Sequence, residues 1–340
     1  MKVIWSEKQK LHQPKYEWNF GKKVKYPETP DREKEIINHL KNKGYEKYLI
    51  AADDFPLSHI LAVHDEEMVR HFQQCENDLG DNEAVYPHIF PYRHFDPSSQ
   101  INYRKAGYFC FDVGTEIDKH TFTAAKASAD VALTGAELLA TKQERRAFSL
   151  CRPPGHHADR ANYGGYCYFN NAAVAAQYLF SKTGGRVAIF DTDFHHGNGT
   201  QGIFYDCPHV FYISIHGDPK INYPYFSGFA EEHGKGIGHG TTLNIPLPPG
   251  TTDGEYREHV RSVLKQITEW GADYFVASLG FDPFKDDPSG NFEISRDFFR
   301  ELGQMYGELD IPVLTCLEGG YDVQDIGENA LAYFEGIMGK

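Results

Sequence analysis

Four short apolar runs in the sequence are each followed directly by polar side chains that can bind a metal ion or move a proton. The four polar segments are residues 151–157, 191–199, 280–283 and 317–322. In open parallel sheets, ligands bind beyond the carboxyl ends of the strands. If each apolar run is a strand of one such sheet, the four segments meet at a single edge and can form one site.

Two of these segments contain residue types that bind metals. Asp193 and His195 alternate in an extended stretch and therefore project to the same side, and Asp282 can supply a third ligand. A catalytic zinc takes three protein ligands and keeps one position open, and two carboxylates with one imidazole suit its preference for oxygen and nitrogen. An Asp-x-His segment alone is more often a capped turn. Because the other segments lie at comparable strand ends, we predict a Zn²⁺ site here, with Fe²⁺ as the alternative metal.

Two adjacent histidines, His156 and His157, follow a rigid Pro-Pro-Gly turn. Hydrolysis of an amide by metal-bound water needs a base for the water and an acid for the leaving amine, and these imidazoles can serve one role each or share both. Asp191 and Asn198 are available to hold the far ring nitrogens. A His-His pair is more often a surface feature, but the preceding turn favours a positioned loop.

A tyrosine, Tyr321, follows Gly319-Gly320 at the end of the last apolar run. Glycine permits close backbone approach, so a bulky side chain can enter a site there. The phenol could donate a hydrogen bond to an oxyanion that forms opposite the metal. With 21 tyrosines in the chain, a packed tyrosine is the alternative, and the strand-end position favours the functional interpretation.

The elements that must position these residues follow an alternating pattern. From about residue 120 onward, β-branched runs alternate with amphipathic segments, which predicts an α/β fold with a doubly wound, mainly parallel sheet flanked by helices and long active-site loops. The predicted strands are 147–150, 187–191, 210–215, 274–279 and 313–316, and the predicted helices are 171–182, 256–270, 295–309 and 325–338.

The first 120 residues are less regular. They predict a strand at 2–5 and helices at 31–43 and 66–74, separated by turn-rich stretches. No linker composition, low-complexity tract or internal repeat interrupts the chain. We therefore predict a single domain over 1–340 whose first 120 residues pack on the same sheet and supply loops and dimer contacts.

The composition restricts the partners and the compartment. Lys plus Arg number 34 against 48 Asp plus Glu, and the net charge of −14 disfavours nucleic acid and favours cationic partners, although acidity can also serve solubility alone. No apolar run approaches the roughly 18 residues of a membrane helix, and no signal-peptide pattern is present, so we expect a cytoplasmic protein with no membrane contact. The six cysteines form no CxxC pair and are expected to be buried thiols.

Five motifs together carry a resemblance to a known family. They are RPPGHHA at 152–158, GGYCYFNNA at 164–172, DTDFHHGNGTQ at 191–201, GFD at 280–282 and EGGY at 318–321. With them the chain resembles the histone deacetylase and acetylpolyamine amidohydrolase family, and over its whole length it is most similar to the bacterial acetylpolyamine amidohydrolases. The resemblance implies an arginase-deacetylase fold, zinc on Asp193, His195 and Asp282, tandem histidines His156 and His157, and a carbonyl-polarising Tyr321.

The resemblance also implies residues around the metal. It implies an acyl tunnel walled by Gly165, Tyr166 and Tyr223, and a structural K⁺ held partly by backbone carbonyls of Asp191, Asp193, His195, Ser214 and Ile215. Glu17 matches an acidic position near the tunnel mouth. Asp112 and Glu116 are weaker candidates for that role, for which an ordinary surface position is favoured. Asn198 stands where some members have aspartate, which should leave His157 less basic.

The substrate class follows from the same resemblance. It implies hydrolysis of acetylated polyamines, such as acetylputrescine, acetylcadaverine and acetylspermidine, by a homodimer whose loops narrow the entrance. A protein acetyl-lysine deacetylase shares the chemistry and is the first alternative. A catalytically silent sensor of acylated amines is the second, and the presence of both histidines, the tyrosine and all three ligands disfavours it.

Overall fold

The computed structural model describes residues 1–91 and 105–340, and its centre is an eight-stranded sheet in which every strand pair is parallel. The strands in chain order are β1 (Lys2–Trp5), β2 (Tyr16–Asn19), β3 (Lys22–Lys25), β4 (Leu49–Ala51), β5 (Ala84–Val85), β6 (Ile117–Asp118), β7 (Arg146–Ser149), β8 (Val187–Asp191), β9 (Val210–Gly217), β10 (Thr242–Leu247), β11 (Tyr274–Leu279) and β12 (Val313–Leu317). The order across the sheet is β10-β9-β8-β11-β12-β7-β1-β4. Strands β2 with β3, and β5 with β6, form separate antiparallel pairs.

Helices cover both faces of this sheet. They are α1 (Pro30–Asn42), α2 (Ser58–Leu61), α3 (Glu66–Asp78), α4 (Ala106–Phe109), α5 (Thr121–Ala140), α6 (Asn171–Thr183), α7 (Asn198–Phe204), α8 (Asp253–Trp270), α9 (Arg296–Gly307) and α10 (Ile326–Ile337). Buried side chains of α1, α8, α9 and α10 share one core, and those of α5, α6 and α7 share another. Successive residues of β8 alternate between the two cores, as the two-residue period of a strand requires. The predicted doubly wound α/β fold is therefore confirmed.

The predicted elements agree with the observed ones to within four residues at each end. Helix α8 begins three residues before its predicted start because Thr252 and Glu255 form a capping box there. Strands β2 to β6 and β10 and helices α2, α4, α5 and α7 were not predicted. Fourteen of the 20 residues of α5 are buried, so this helix lacks the polar face that reveals a helix in a sequence. Strand β10 contains Pro246, which is tolerated because β10 is an edge of the sheet.

The first 120 residues contribute to the sheet itself. Strand β1 pairs with β7 on one side and with β4 on the other, and α1 packs against α10. Two strands of this region, β1 and β4, thus belong to the central sheet. No helix in the described part of the chain is both long and apolar enough to cross a membrane.

The strand order reverses between β8 and β11. From β8 the chain continues outward to β9 and β10, whereas β11 lies on the other side of β8 and leads to β12. Such a reversal leaves a crevice at the carboxyl edge of the sheet, which is the usual ligand position in open α/β sheets. The segments that follow β8 and β11 are the two that contain Asp193, His195 and Asp282.

One buried acid in α1 makes the stability of the fold depend on pH. Glu33 has no exposed surface, and neither of its carboxylate oxygens has a hydrogen-bond partner among the described residues. Burial raises the pKa of Glu33 to about 8. The folded protein therefore keeps the proton on Glu33 at a pH where the unfolded chain has released it, and the fold loses stability as the pH rises from about 4.5 to 8.

We predict that Glu33→Gln stabilises the protein, because the amide carries no charge to bury. Its advantage in free energy of unfolding over the wild type should grow by up to about 1.4 kcal/mol per pH unit through this range. Chemical denaturation at pH 5, 6.5 and 8 measures this. Glu35→Gln, in the more exposed part of the same helix, is the control and should show no such trend. An advantage of Glu33→Gln that does not change with pH would contradict the assignment.

Candidate active site

The three predicted metal ligands converge at the carboxyl edge of the sheet. Asp193 and His195 follow β8, and Asp282 follows the neighbouring β11. His195 Nδ1 lies 3.3 Å from Asp193 Oδ1 and 3.1 Å from Asp282 Oδ2. One ligand atom from each residue lies within 4.8 Å of the others. The geometry therefore brings together the donors of a three-ligand metal site.

The charges in this cluster are suited to a cation. Asp193 is 1% exposed and Asp282 0%, and two buried carboxylates side by side are costly unless a positive charge accompanies them. Burial and the charge of Asp193 raise the pKa of Asp282 to about 7. Burial opposes a positive charge on His195, but hydrogen bonds to Asp193 and Asp282 raise its pKa to about 9. The His195 imidazole thus keeps a proton between the two carboxylates. A metal ion can take the place of that proton.

Backbone groups hold the two carboxylates from behind. Gly319 N donates to Asp193 Oδ2 at 2.7 Å, and Phe194 N donates to Asp282 Oδ1 at 3.0 Å. A Cβ atom at Gly280 would lie 2.2 Å from Asp193 Oδ2, and one at Gly319 would lie 2.5 Å from both carboxylates. Only glycine fits at these two positions. The pocket and its donor set of two carboxylates and one imidazole fit a zinc ion.

A second cluster of possible ligands, His156, Cys167 and Glu318, lies nearby. Glu318 is already occupied, since its Oε2 accepts from the backbone amides of Gly155 and His156 and its Oε1 from the Ser278 hydroxyl. Burial, followed by the charge of Glu318, raises the pKa of the Cys167 thiol well above its usual value. Because the Glu318 carboxylate is already bonded to the backbone of Gly155 and His156, this cluster supports the histidine loop.

The tandem histidines lie in opposite electrostatic environments. His156 Nδ1 lies 3.1 Å from Asp191 Oδ2, and His157 Nδ1 lies 2.7 Å from Asn198 Oδ1. Burial opposes a charge on His156, but Asp193 and Asp191 raise its pKa to about 10. Burial, together with the nearby His156 and His195, lowers the pKa of His157 well below its usual value. His157 is therefore neutral near pH 7, with Nδ1–H donated to Asn198 and Nε2 free to accept a proton.

Tyr321 is fixed by groups that sequence reasoning did not identify. Its backbone N donates to Asp287 Oδ2 at 2.6 Å. The Arg32 guanidinium, from α1, lies 4.9 Å from the centroid of its ring and donates to the carbonyls of Glu318 and Gly320. Burial, opposed by the charge of Arg32, raises the pKa of Tyr321 well above its usual value. The phenol therefore keeps its proton and can act as a hydrogen-bond donor.

A cavity of about 670 Å³ opens over these groups, and its lining includes His157, His195 and Tyr321. The three residues predicted to wall a tunnel also line it. The Tyr223 ring lies 4.9 Å from the ring of His157, and the Tyr166 ring lies 5.7 Å from that of Tyr321. The structure thus places one aromatic wall beside the histidines and the other beside the tyrosine.

The acidic candidates near the cavity are not ordinary surface carboxylates. Glu17 is 7% exposed, and its Oε2 accepts from the Tyr166 hydroxyl at 2.7 Å. Glu116 is 6% exposed and accepts from the Tyr86 hydroxyl, so the surface position favoured for it is wrong. Asp112 is half-buried, and its Oδ2 accepts from Gly165 N at 2.6 Å and from the Tyr223 hydroxyl at 3.1 Å. It belongs to the tunnel wall.

Of the residues predicted to hold K⁺, Asp191 ends β8, Asp193 and His195 follow it, and Ser214 and Ile215 lie within β9. Asp191 and Ser214 are register partners in these strands, and Ile215 follows directly. The Ser214 hydroxyl is hydrogen bonded to His216 Nδ1 at 2.8 Å. Asp193 N donates to Asp191 Oδ1 at 3.1 Å, which folds the segment back toward the strand. Asp191, Ser214 and Ile215 therefore lie close to the segment that contains the metal ligands Asp193 and His195.

Comparison with known proteins agrees with this architecture. Residues 26–337 match the histone deacetylase domain. The chain is 40% identical to acetylpolyamine amidohydrolase 2 of Pseudomonas aeruginosa, covering 100% of this chain and 99% of that protein. It is 39% identical to the acetylpolyamine amidohydrolase of Mycoplana ramosa, with 100% of both covered. The crystal structure of the acetylpolyamine aminohydrolase from Burkholderia pseudomallei aligns with a TM-score of 0.93 at 34% identity, covering 99% of this chain and 98% of that one. The chain belongs to the histone deacetylase family and has the arginase-deacetylase fold.

We predict that added Zn²⁺ stabilises the wild-type protein and that Asp282→Asn removes this stabilisation. Zn²⁺ at a hundredfold excess over its dissociation constant should raise the midpoint of thermal unfolding by roughly 5 °C, because it binds only the folded chain. Asp286→Asn, an exposed neighbour in the same loop, is the control and should keep the full shift. An equal shift in Asp282→Asn would rule out this cluster as the binding site.

Proposed function

We propose that this protein is a zinc-dependent amidohydrolase that removes acetyl groups from linear amines, with acetylated polyamines such as acetylputrescine, acetylcadaverine and acetylspermidine as its substrates. The observation that carries the proposal is the convergence of a three-ligand cluster, an uncharged histidine and a protonated phenol on one cavity. The cavity is lined by aromatic side chains that suit a slender alkyl chain. The family and the names of full-length relatives support the same reaction.

The protein groups divide the proton transfers between them. Bound zinc would polarise the amide carbonyl and make water more acidic. His157 lines the cavity, whereas His156 does not, so His157 Nε2 is the base that accepts the proton of the attacking water. His157 then delivers that proton to the nitrogen of the leaving amine. His156, which is paired with Asp191, contributes a positive charge next to His157. Asn198 acts by keeping the proton of neutral His157 on Nδ1.

The Tyr321 hydroxyl stabilises negative charge that develops on the carbonyl oxygen. Its environment keeps the phenol protonated, and Asp287 and Arg32 fix the backbone that carries it. A hydrogen-bond donor aimed at the carbonyl oxygen stabilises the transition state, in which negative charge develops on that oxygen, more than the bound substrate. It therefore accelerates the reaction more than it strengthens substrate binding.

We predict that Tyr321→Phe lowers kcat about 10²- to 10³-fold, as loss of one oxyanion donor typically does. Bound zinc per chain should not change, because the phenol is not among the ligands. Steady-state kinetics with metal analysis of the same samples tests this. Tyr48→Phe, remote from the cavity, serves as the control, and full activity of Tyr321→Phe would refute the role of the phenol.

Selection among acetylated amines is the second part of the proposal. Glu17 lies in the cavity lining beside Tyr166 and can attract an ammonium group on the far end of the substrate. The net charge of −14 favours cationic ligands in general. The zinc-loaded protein should therefore release acetate from acetylputrescine or acetylspermidine with a higher kcat/KM than from acetyl-lysine peptides. A strong preference for the peptides would favour a protein deacetylase, and no turnover of either would favour a sensor.

We predict that Glu17→Gln lowers kcat/KM for acetylputrescine about tenfold, mainly by raising KM, because the variant loses a charge-assisted contact. The amide oxygen can still accept from Tyr166, so the tunnel wall should persist. N-butylacetamide, of the same shape without the ammonium, is the matched control and should be hydrolysed equally by both proteins. An equal loss on both substrates would show that Glu17 supports the wall rather than recognising charge.

Several further features belong to the same proposal. A structural K⁺ bound by Asp191, Asp193, His195, Ser214 and Ile215 is supported by the pairing of Asp191, at the end of β8, with Ser214 in β9. A homodimer is supported by exposed apolar side chains in the cavity lining, since Phe20 is 87% exposed and Ile221 58%. A single domain is supported by the sheet that both ends of the chain share. A cytoplasmic location is supported by the six free cysteines.

A further inference from the structure

The Asp112 carboxylate connects three separate segments of the chain around the cavity. It lies between α4 and β6, and its Oδ1 accepts from the backbone N of Gly114 at 3.0 Å and of Thr115 at 2.9 Å. Its Oδ2 accepts from the Thr115 hydroxyl at 3.1 Å, from Gly165 N at 2.6 Å and from the Tyr223 hydroxyl at 3.1 Å. Oδ1 thus fixes the loop of Asp112 itself, and Oδ2 fixes the loops of the two tunnel walls.

The first wall, residues 165–166, is held in an unfavourable backbone conformation. Tyr166 has a φ of 65°, which is uncommon for a residue other than glycine and persists only where surrounding contacts impose it. The contacts here are Gly165 N to Asp112 and Tyr166 N to the Thr115 hydroxyl at 3.0 Å. A Cβ atom at Gly165 would lie 2.3 Å from the ring of His157, so this wall presses directly against the proposed base.

The second wall, Tyr223, lies against the ring of the same histidine. Its ring lies 4.9 Å from that of His157 at an interplanar angle of 85°. Phe111, the residue before Asp112, stacks on Tyr223 with ring centroids 6.1 Å apart. The hydroxyl of Tyr223 reaches Asp112 Oδ2, the same oxygen that holds Gly165. One carboxylate oxygen therefore sets the distance between the two walls.

We propose that Asp112 is a positioning residue that sets the width of the tunnel and the orientation of His157, and that it acts through Gly165 and Tyr223 rather than by binding the ammonium of the substrate. A carboxylate offers about four lone-pair sites, and five donors within the protein already surround this one. No acceptor site remains for an incoming amine. The inference rests on the proposed hydrolysis of acetylated amines. It assigns the exclusion of broad substrates to the loop that contains Asp112.

The test uses Asp112→Asn in the zinc-loaded full chain. The amide has the same shape but only one acceptor oxygen, which cannot serve both the donors of the Asp112 loop and the donors of the two walls, so the connection between this loop and the walls is broken. We expect kcat/KM for acetylputrescine to fall about 10- to 100-fold, the usual consequence of losing a buried hydrogen bond to a charged group. The fall should be equal for N-butylacetamide, which lacks the ammonium. Activity on a branched N-alkylacetamide should fall less, because the wider tunnel admits it.

A double-mutant cycle tests the path through Tyr223. Tyr223→Phe removes the hydroxyl that reaches Asp112 and keeps the ring beside His157, so it should reproduce part of the shift toward the branched substrate. Adding Asp112→Asn to it should then have a smaller effect than in the wild type. Asp81→Asn, an exposed acid on the surface, is the control and should leave both the rates and the substrate ratio unchanged. If Asp112→Asn does not fold, Tyr223→Phe alone must still change the substrate ratio.

Two results would overturn the inference. A loss confined to acetylputrescine, with N-butylacetamide unaffected, would show that Asp112 binds the ammonium directly. An equal loss on slender and branched substrates would show only general damage. If the wild type hydrolyses none of these amides, the proposed function fails. The role of Asp112 in setting the tunnel width is then tested by the binding of ligands instead of by rates. The affinity ratio of a linear to a branched alkyl hydroxamate, which chelates the metal, should then be lower in Asp112→Asn, and an unchanged ratio would overturn it.

Discussion

The structure depends on the burial of two carboxylates, Asp193 and Asp282, against each other at the edge of the sheet. Neither has appreciable contact with solvent, and each is fixed by a backbone amide. Desolvated like charges at this distance raise the free energy of the fold unless a cation lies between them. The protein supplies His195 between the two carboxylates and His156 beside Asp193. Despite burial, the two carboxylates raise the pKa of His195, and burial together with the charge of Asp193 raises that of Asp282. A divalent metal satisfies the same constraint and leaves a coordination position for a carbonyl or water.

The surrounding elements can be understood as means of holding this cluster and the groups that act beside it. The reversal of strand order between β8 and β11 creates the crevice, and glycines at 280 and 319 allow the carboxylates to approach. Glu318 fixes the histidine loop, while Asp287 and Arg32 fix Tyr321. Arg32 comes from the first helix, so the N-terminal part of the chain supports the chemistry as well as the sheet. Asp112 extends the same principle outward to the tunnel walls.

Much of this could be predicted from the sequence, because the metal ligands, both histidines and Tyr321 directly follow apolar runs that are recognisable as strands. Both histidine partners, Asp191 and Asn198, lie in a segment of the same kind. The sequence did not reveal α5, which is buried on nearly all sides and has no polar face. It also did not reveal the roles of Arg32, Asp112 and Asp287. Their partners are distant in the chain, and each acts through hydrogen bonds to backbone or to another side chain, which leave no local pattern.

The dependence of hydrolysis on metal tests most directly whether the site formed by Asp193, His195 and Asp282 is catalytic. The metal-free protein, titrated with Zn²⁺ while acetate release from acetylputrescine is followed, should gain activity linearly up to one equivalent per chain and then reach a plateau. That result would show that one metal ion per chain, at the site of the buried carboxylate pair, is needed for the reaction. Full activity in the metal-free protein, or a plateau only well beyond one equivalent, would contradict a single catalytic site on Asp193, His195 and Asp282.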